Sequence, residues 1–520
     1  MTLAISILIV LLATYWFGFK EGFFSGLIHL ACVICAGAMA FAFWEPLAHM
    51  MLGGAMKEYA WGVSLLTIFC FSLFIFRLAG NLLIPDRLNF PHLADIIGGS
   101  TTGFASGVLT AGIGLIGLGF LPVGTLGGGF VRTQSNAAQP AVKSSISPAV
   151  LATESFYDTL SLGAFAPLTN RGSLATSYPA LSKQAWGLQR DTVKSGRIEL
   201  SISPDYITVG TPFLGVYPGS EGESLVLPVS VVREGFHRGS NFVLSASQTH
   251  LIGSGTSPAV VFPNAWREGG LNYMFDGMTN YTTNVPGEQK VSFLLSFPAS
   301  GLKGQAATAL MFKGLRIPLA PASDDLAALD IGEGTKATYD NSATSIPASY
   351  VKIDRKLGVI LNRNSLASGM EAQKNTITFS PGADVPSRTR GSVNKSLRVD
   401  QLYELPGTKI VKLDISRGKS PVDVWGDIRT KAGSSAPLML VDDNGSTYLP
   451  IGWLHVQASD NLLNVKLDAR RGVPTIANLP QLSSAGRDDL DVLFSIPEGR
   501  RIVAIMVGGE TVGVTNVLVK

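Results

Sequence analysis

The sequence predicts a multidomain protein, an all-α four-helix transmembrane bundle followed by two all-β Ig-like sandwich domains. Three observations predict it. Long apolar runs fill the first 121 residues, charge is sparse there and scattered afterwards, and beyond about residue 195 short apolar segments are divided by glycine and proline. The runs at 3–19, 23–43, 61–83 and 96–121 are each near the roughly 20 residues that cross about 30 Å of hydrocarbon. No basic stretch precedes the first run and no small-residue cleavage site precedes Lys20, so a cleaved signal peptide is the weaker reading. The expected order is a transmembrane domain at 1–121, a connector at 122–194, a first sandwich at 195–320, a linker or mixed β segment at 321–400 and a second sandwich at 401–520.

Two rows of small residues stand out in the helices. Gly18, Gly22 and Gly26 form one, and Gly99, Gly103, Gly107 and Ala111 the other. Residues four apart share a helix face, and without side chains there two backbones can approach closely in lipid. Both rows are therefore expected at helix contacts, within the chain or between copies in an oligomer. The alternative is that glycine is simply common in membrane helices.

The turn Gly18-Phe-Lys-Glu-Gly22, with Asp95, Gly99, Gly103 and Gly107 later at steps of four, resembles the colicin V production protein (CvpA) family. The resemblance implies a small four-helix inner-membrane protein and a link to toxin production or export. That family opens its last helix with Asp-Arg and later has Arg-Gly, whereas Ile96 and Ser106 stand at those positions here. About the first quarter of the chain is covered.

Charge excludes some partners. A formal net charge of +3 over 520 residues, without a basic block, leaves nothing to attract a nucleic acid backbone. Cys32, Cys35 and Cys70 all fall in the apolar runs and read as packing residues. Lys20, Arg77 and Arg87 fall on one side of the spans, Lys57 and Arg132 on the other. The positive-inside rule then puts the odd-numbered turns in the cytoplasm and the C-terminal region in the periplasm.

After the anchor, residues 122–194 lack a sustained period. Within them, Leu151, Phe156, Leu160 and Leu162 suggest a short amphipathic helix opened by Pro148 and capped by Ser147. It would lie on the membrane surface, cover the bundle, or dock on the soluble part. Further on, strands such as Ser224-Leu-Val-Leu-Pro-Val-Ser-Val-Val and Lys290-Val-Ser-Phe-Leu-Leu-Ser-Phe, spaced by turn residues, argue for an antiparallel sandwich. A second set runs from Lys409 to Val507. A weak repeat links the sets: Ser292-Phe-Leu-Leu-Ser-Phe-Pro leading to Ala309-Leu-Met-Phe parallels Asp491-Val-Leu-Phe-Ser-Ile-Pro leading to Val503-Ala-Ile-Met-Val. Each pair is expected to be hairpin-like, since the proline cannot continue the ladder.

Motifs for chemistry fail on context. Gly112-Ile-Gly-Leu-Ile-Gly117 matches a dinucleotide fingerprint but lies inside an apolar span, without the strand that must precede it. Asp442-Asp-Asn-Gly-Ser lacks the ligand spacing of a calcium loop and reads as a hairpin turn with Asn444 and Gly445 at positive φ. The histidines His29, His49, His92, His237, His250 and His455 form no zinc spacing. Some CvpA-like anchors are fused to trypsin-like proteases, but the serine motif of those enzymes is missing; Gly253-Ser-Gly-Thr-Ser-Pro has the wrong order. No catalytic, cofactor or metal site is expected. Trp266, Tyr273, Phe275 and Tyr281, near Asn272 and Asn280, are candidate contacts to a protein or a cell-wall saccharide; the alternative is a small core beneath a long loop.

The expected function is a bacterial inner-membrane, non-enzymatic protein that holds two β-sandwich binding modules in the cell envelope. A channel or transport component is one rival, although only Arg77 is ionisable deep in a span. A membrane-anchored protease-like enzyme is the other.

Overall fold

The computed structural model describes residues 2–84, 88, 90–122, 133–135, 140–142, 147–163, 165, 172–188, 199–216, 222–236, 242–268, 270–275, 281–282, 289–323, 336–362, 370–373, 376–379, 383–389, 398–405, 407–422, 424–425, 427–457, 462–468, 472–482 and 488–520. Arg87, Arg132, His237, Asn280 and the loop stretches around Gly127 and Asp324 lie outside the described residues.

Among the described residues, three helical segments are long and apolar enough to cross a membrane: Leu3–Leu52, Lys57–Leu83 and His92–Phe120. The first is 50 residues long and holds two of the expected spans. It divides into α1 (Thr2–Trp16) and α2 (Gly22–Leu52) at a π turn, Phe17–Glu21. No loop is needed, because Gly22 takes φ 81°, open to glycine at little cost. α3 (Ala60–Leu83) and α4 (His92–Phe120) follow.

α4 is the centre, packed on by all the others. Contacts fix the directions. Val10 faces Gly107 and Ala13 faces Gly103, so α1 runs antiparallel to α4. Gly26 faces Thr102 and Gly37 faces Ile113, so α2 runs parallel to it, and Gly62 against Leu121 together with Leu66 against Gly117 makes α3 antiparallel. The outward faces are apolar, with Leu8, Leu11, Phe71, Phe74 and Phe104 exposed, as suits lipid contact. Cys32 is buried, whereas Cys70 is exposed on α3, so the packing reading of that residue is corrected.

The connector carries three short helices, α5 (Pro148–Ser161), α6 (Leu174–Ser177) and α7 (Leu181–Gly187). Ser147 occupies the N-cap position of α5 but its hydroxyl does not cap; it pairs with the Ser6 hydroxyl at 2.8 Å. Thr153, Glu154 and Tyr157 are buried while Leu151 and Leu162 are exposed.

The β-rich region forms several sheets. In its first unit the strands are β1 (Ile207–Val209), β2 (Glu223–Val232), β3 (Thr249–Gly253), β4 (Val260–Val261), β5 (Ala265–Glu268), β6 (Leu271–Met274), β7 (Lys290–Pro298), β8 (Ala307–Phe312) and β9 (Leu315–Pro318). One sheet has the order β6-β5-β7-β2-β1 and the other β9-β8-β3-β4. Leu225, Leu227, Val229 and Val231 of β2 and Val291, Phe293, Leu295 and Phe297 of β7 point every second side chain into a core shared with Leu251, Leu310 and Phe312 of the other sheet.

The second unit repeats this order. Its strands are β10 (Val351–Ile353), β11 (Thr408–Asp414), β12 (Leu438–Asp442), β13 (Thr447–Tyr448), β14 (Gly452–Gln457), β15 (Leu462–Leu467), β16 (Asp488–Pro497), β17 (Arg501–Val507) and β18 (Glu510–Leu518). They pair as β15-β14-β16-β11-β10 and β18-β17-β12-β13, the order of the nine strands named in the first unit, while the sixth strand of the larger sheet differs: Phe213–Val216 pairs with β2 in the first unit and Ala383–Thr389 with β15 in the second. The repeat read from the two proline-ended strands thus extends over the topology of both units. Its hairpin reading is corrected: β7 and β8 lie in different sheets, as do β16 and β17, so each proline ends a strand that arches from sheet to sheet. Pro298 and Pro497 still stand in register, opposite Ser224 and Thr408. Part of the segment 321–400 joins the second unit, since β10 pairs β11 and Ala383–Thr389 extends the sheet beside β15.

Candidate functional site at the helix–sheet junction

The glycine rows meet across α1, α2 and α4. A Cβ at Gly99 would overlap the carbonyl oxygen of Phe17, one at Gly103 would lie 2.6 Å from that of Ala13, and one at Gly107 would lie 2.9 Å from the Cα of Val10. Cβ atoms at Gly18 and Gly26 would overlap the hydroxyls of Ser100 and Thr102, and one at Gly22 would lie 2.6 Å from the Asp95 carboxylate. Asp95 caps α2, accepting a hydrogen bond from the Phe23 N–H at 2.7 Å, where a helix N-terminus favours negative charge. At that same end Arg77 donates to the Ser25 hydroxyl at 2.7 Å and to the Ser25 carbonyl at 3.2 Å. Ser106 turns its hydroxyl back on its own helix, to the Gly103 carbonyl at 3.1 Å. Gly112 and Gly117 of the nucleotide-like pattern lie against Thr153 and Leu66, inside helix contacts.

At the opposite end the first β unit is seated directly on the helices. Trp44 packs against Trp61, Phe120 and Tyr178 at ring separations of 5.6, 5.1 and 5.2 Å. The β8–β9 turn, Lys313 and Gly314 at φ 48° and 82°, reaches down to them, and Gly314 lies so close to Trp61 that a Cβ would come within 2.5 Å of its indole nitrogen. Positive φ at both central residues is the signature of a tight hairpin turn. Lys313 is 1% exposed, with its ammonium 4.5 Å above the Phe242 ring. The turn between α2 and α3 adds polar bonds. Lys57 pairs with Glu199 at 3.0 Å, Glu58 accepts the Leu200 N–H at 2.6 Å, and the Ser201 hydroxyl donates to the Lys57 carbonyl at 2.7 Å. One buried apolar cluster consequently runs from Val33 of α2 through Trp44, Phe120, Leu188 and Leu200 to Phe312 of β8.

A small cavity sits in this junction, lined by residues that include Trp44, Phe120, Tyr178, Gln184, His250 and Met311, with about 10 Å³ open to the centre of a water molecule. That is room for a single water and no more. His250 is buried beside Phe262, and neither ring nitrogen has a hydrogen-bond partner among the described residues. Burial pushes its pKa down to about 3, so the ring is neutral.

The four aromatics read as candidate contacts, with a small core as the alternative, are inside. Trp266, Tyr273, Phe275 and Tyr281 are 1%, 6%, 1% and 0% exposed. The reason is pairing: Trp266 and Tyr273 stand opposite one another on β5 and β6 and stack at 5.2 Å, while Tyr281 stacks on Phe293 of β7 at 4.2 Å. The exposed-contact reading is therefore corrected to the core alternative. Tyr273 also reaches the second unit, where its hydroxyl hydrogen-bonds the Ser446 hydroxyl and the Arg500 guanidinium lies 4.2 Å over its ring. Asn444 donates to the Asn272 carbonyl at 3.0 Å. Ser446 and Asn444 belong to the turn read as a hairpin; there only Gly445 takes positive φ (88°), and Asn444 does not, because the Asp442 carboxylate orders the turn by accepting both the Asn444 and Ser446 N–H groups. Among the described residues no three His, Cys, Asp or Glu side chains converge as metal ligands.

Comparison with known proteins adds one match. Residues 3–146 match the family model of the colicin V production protein. No curated protein and no solved structure matches the chain. The colicin V production region thus takes in α1 to α4, the glycine contacts and the Asp95 cap, while both β units lie beyond it. Sequence reasoning missed the junction, whose one prior sign was Lys313-Gly314, an ordinary turn pair.

Proposed function

We propose that the protein is a multi-pass inner-membrane component related to colicin V production, non-enzymatic, that holds two β-sandwich binding modules on the periplasmic side. Its four helices would cross the bilayer, with α1 and α2 as separate spans. The unbroken apolar core from α2 to β8 is the observation that carries this reading. A module on a slack tether samples many heights and angles, whereas one cemented to the bundle presents its surface at a fixed place above the membrane. The match of α1 to α4 to the colicin V production family supports the membrane placement and supplies the link to toxin production or export.

The test is protease treatment of intact spheroplasts carrying the full chain. Digestion of the β units from outside is the expected result, and protection until the membrane is broken would sink the periplasmic placement. Toxin release from cells lacking the protein tests the second half: unchanged release would remove the link to export.

A further inference from the structure

We propose that α5 is an interfacial helix, lying flat across the bundle with Leu151, Leu162 and the adjacent Phe165 in the lipid of the leaflet nearest the β units. Three contacts set its position. Ser147 meets Ser6 of α1 at 2.8 Å, Thr153 donates to the Val108 carbonyl of α4 at 3.2 Å, and Tyr157 donates to the Val33 carbonyl of α2 at 3.1 Å. These partners stand at one level. Ser6 is one turn from Val10, which faces Gly107, and so lies beside Ala111; Val33 is one turn from Gly37, which faces Ile113, and so lies beside Leu109. A helix that touches three spans in turn at one level runs across them.

That level lies within the apolar belt. The Asp95 carboxylate beside Gly22, with Lys20 and Glu21 next to it in the chain, marks the far border of that belt, and the level of Leu109 lies about 21 Å from it along α4; a hydrocarbon core of about 30 Å then leaves α5 about 9 Å inside the near border, within the depth of helices that lie in the headgroup and acyl boundary. The side-chain distribution agrees. Leu151, Leu162 and Phe165 are 48%, 62% and 43% exposed, while Glu154 turns inward to accept the Ser182 N–H and hydroxyl. Leu174 donates its N–H to Ser161 at 2.9 Å, and α7 packs its Ala185 and Trp186 on Gly119. Through α6 and α7 the depth of α5 therefore sets the height at which the first β unit stands.

The test uses spin labels on the full chain in liposomes, with Cys32, Cys35 and Cys70 replaced by alanine and single cysteines introduced as Leu151→Cys or Leu162→Cys. Leu11→Cys and Val216→Cys, on exposed residues of α1 and of the first β unit, give the lipid and water references. Collisions with oxygen exceeding those with a water-soluble nickel complex at both α5 sites, as at Leu11, are expected. Nickel collisions at both sites matching those at Val216 would overturn the proposal. It rests on the membrane reading of the helices, which the Leu11 label tests separately.

Discussion

Gly103 of α4 lies against the main chain of Ala13 in α1, and a Cβ there would stand 2.6 Å from the Ala13 carbonyl oxygen and 3.0 Å from the Thr14 Cα. Backbone cannot swing aside as a side chain can. Gly103→Leu is therefore expected to force α1 and α4 apart, at the upper end of the about 1–3 kcal/mol usual for overpacking. The readout is the amount of folded protein in the membrane. Phe104, 56% exposed on the same helix, is the control, and Phe104→Leu should leave the amount unchanged. Equal amounts of Gly103→Leu and wild type would remove the close contact from the argument.

Trp61 tests the junction. It is 1% exposed, packed on Trp44 and under the Gly314 turn, so truncation opens a cavity between helices and β unit. Trp61→Ala should cost about 3–5 kcal/mol. Because one core joins both parts, a single unfolding transition in detergent is expected to fall for helices and sheets together. Loss of helix stability alone, with the β unit melting as in wild type, would mean the two are not cemented. Trp16→Ala, at a site 53% exposed, should do little.

His250 gives the pH dependence. Burial lowers its folded pKa from 6.5 to about 3, so the folded state resists a proton that the unfolded chain accepts. Its contribution to stability is complete above pH 6.5 and is lost as pH falls from there through about 3, on the order of 5 kcal/mol in all. His250→Phe, beside Phe262, removes the titrating group. Melting temperatures between pH 7 and pH 4 should drop less in the variant than in wild type; parallel curves would show that His250 does not govern acid stability.

The legible features were those with local causes. Apolar runs long enough for a bilayer and glycines at steps of four are properties of neighbouring residues, and so is the alternation in β2 and β7. The partners of those features are long-range. Nothing near Gly103 names Ala13, and nothing near Gly314 names Trp61. The aromatics from Trp266 to Tyr281 looked exposed because glycine, asparagine and polar residues surround them, yet the cross-strand pairing of Trp266 with Tyr273 turns their rings inward. For α5 the leucine spacing was legible but not the surface the leucines face, because the polar partners of its buried side, Val108, Val33 and Ser182, are far away in the chain.

Tyr273 and Ser446 join the two β units, and Asp442 holds the turn that presents Ser446. Its carboxylate is 1% exposed, accepts two backbone N–H groups and the Tyr448 hydroxyl at 2.8 Å, and lies 3.8 Å from the Arg500 guanidinium. Burial raises the Tyr448 pKa well above the usual phenol range, so it remains a donor at any physiological pH. Removing the carboxylate leaves a half-buried cation and two backbone N–H groups without it, and Asp442→Ala should cost about 3 kcal/mol. The clasp is separated from the turn by a double-mutant cycle. Tyr273→Phe and Ser446→Ala each remove one hydroxyl of the same hydrogen bond. In the chemical unfolding of the full chain their effects should fall short of additive by about 0.5–1.5 kcal/mol. Strict additivity would mean that the hydroxyls do not couple, and that other contacts, among them the Arg500 ring contact and the Asn444 hydrogen bond, hold the two units in register.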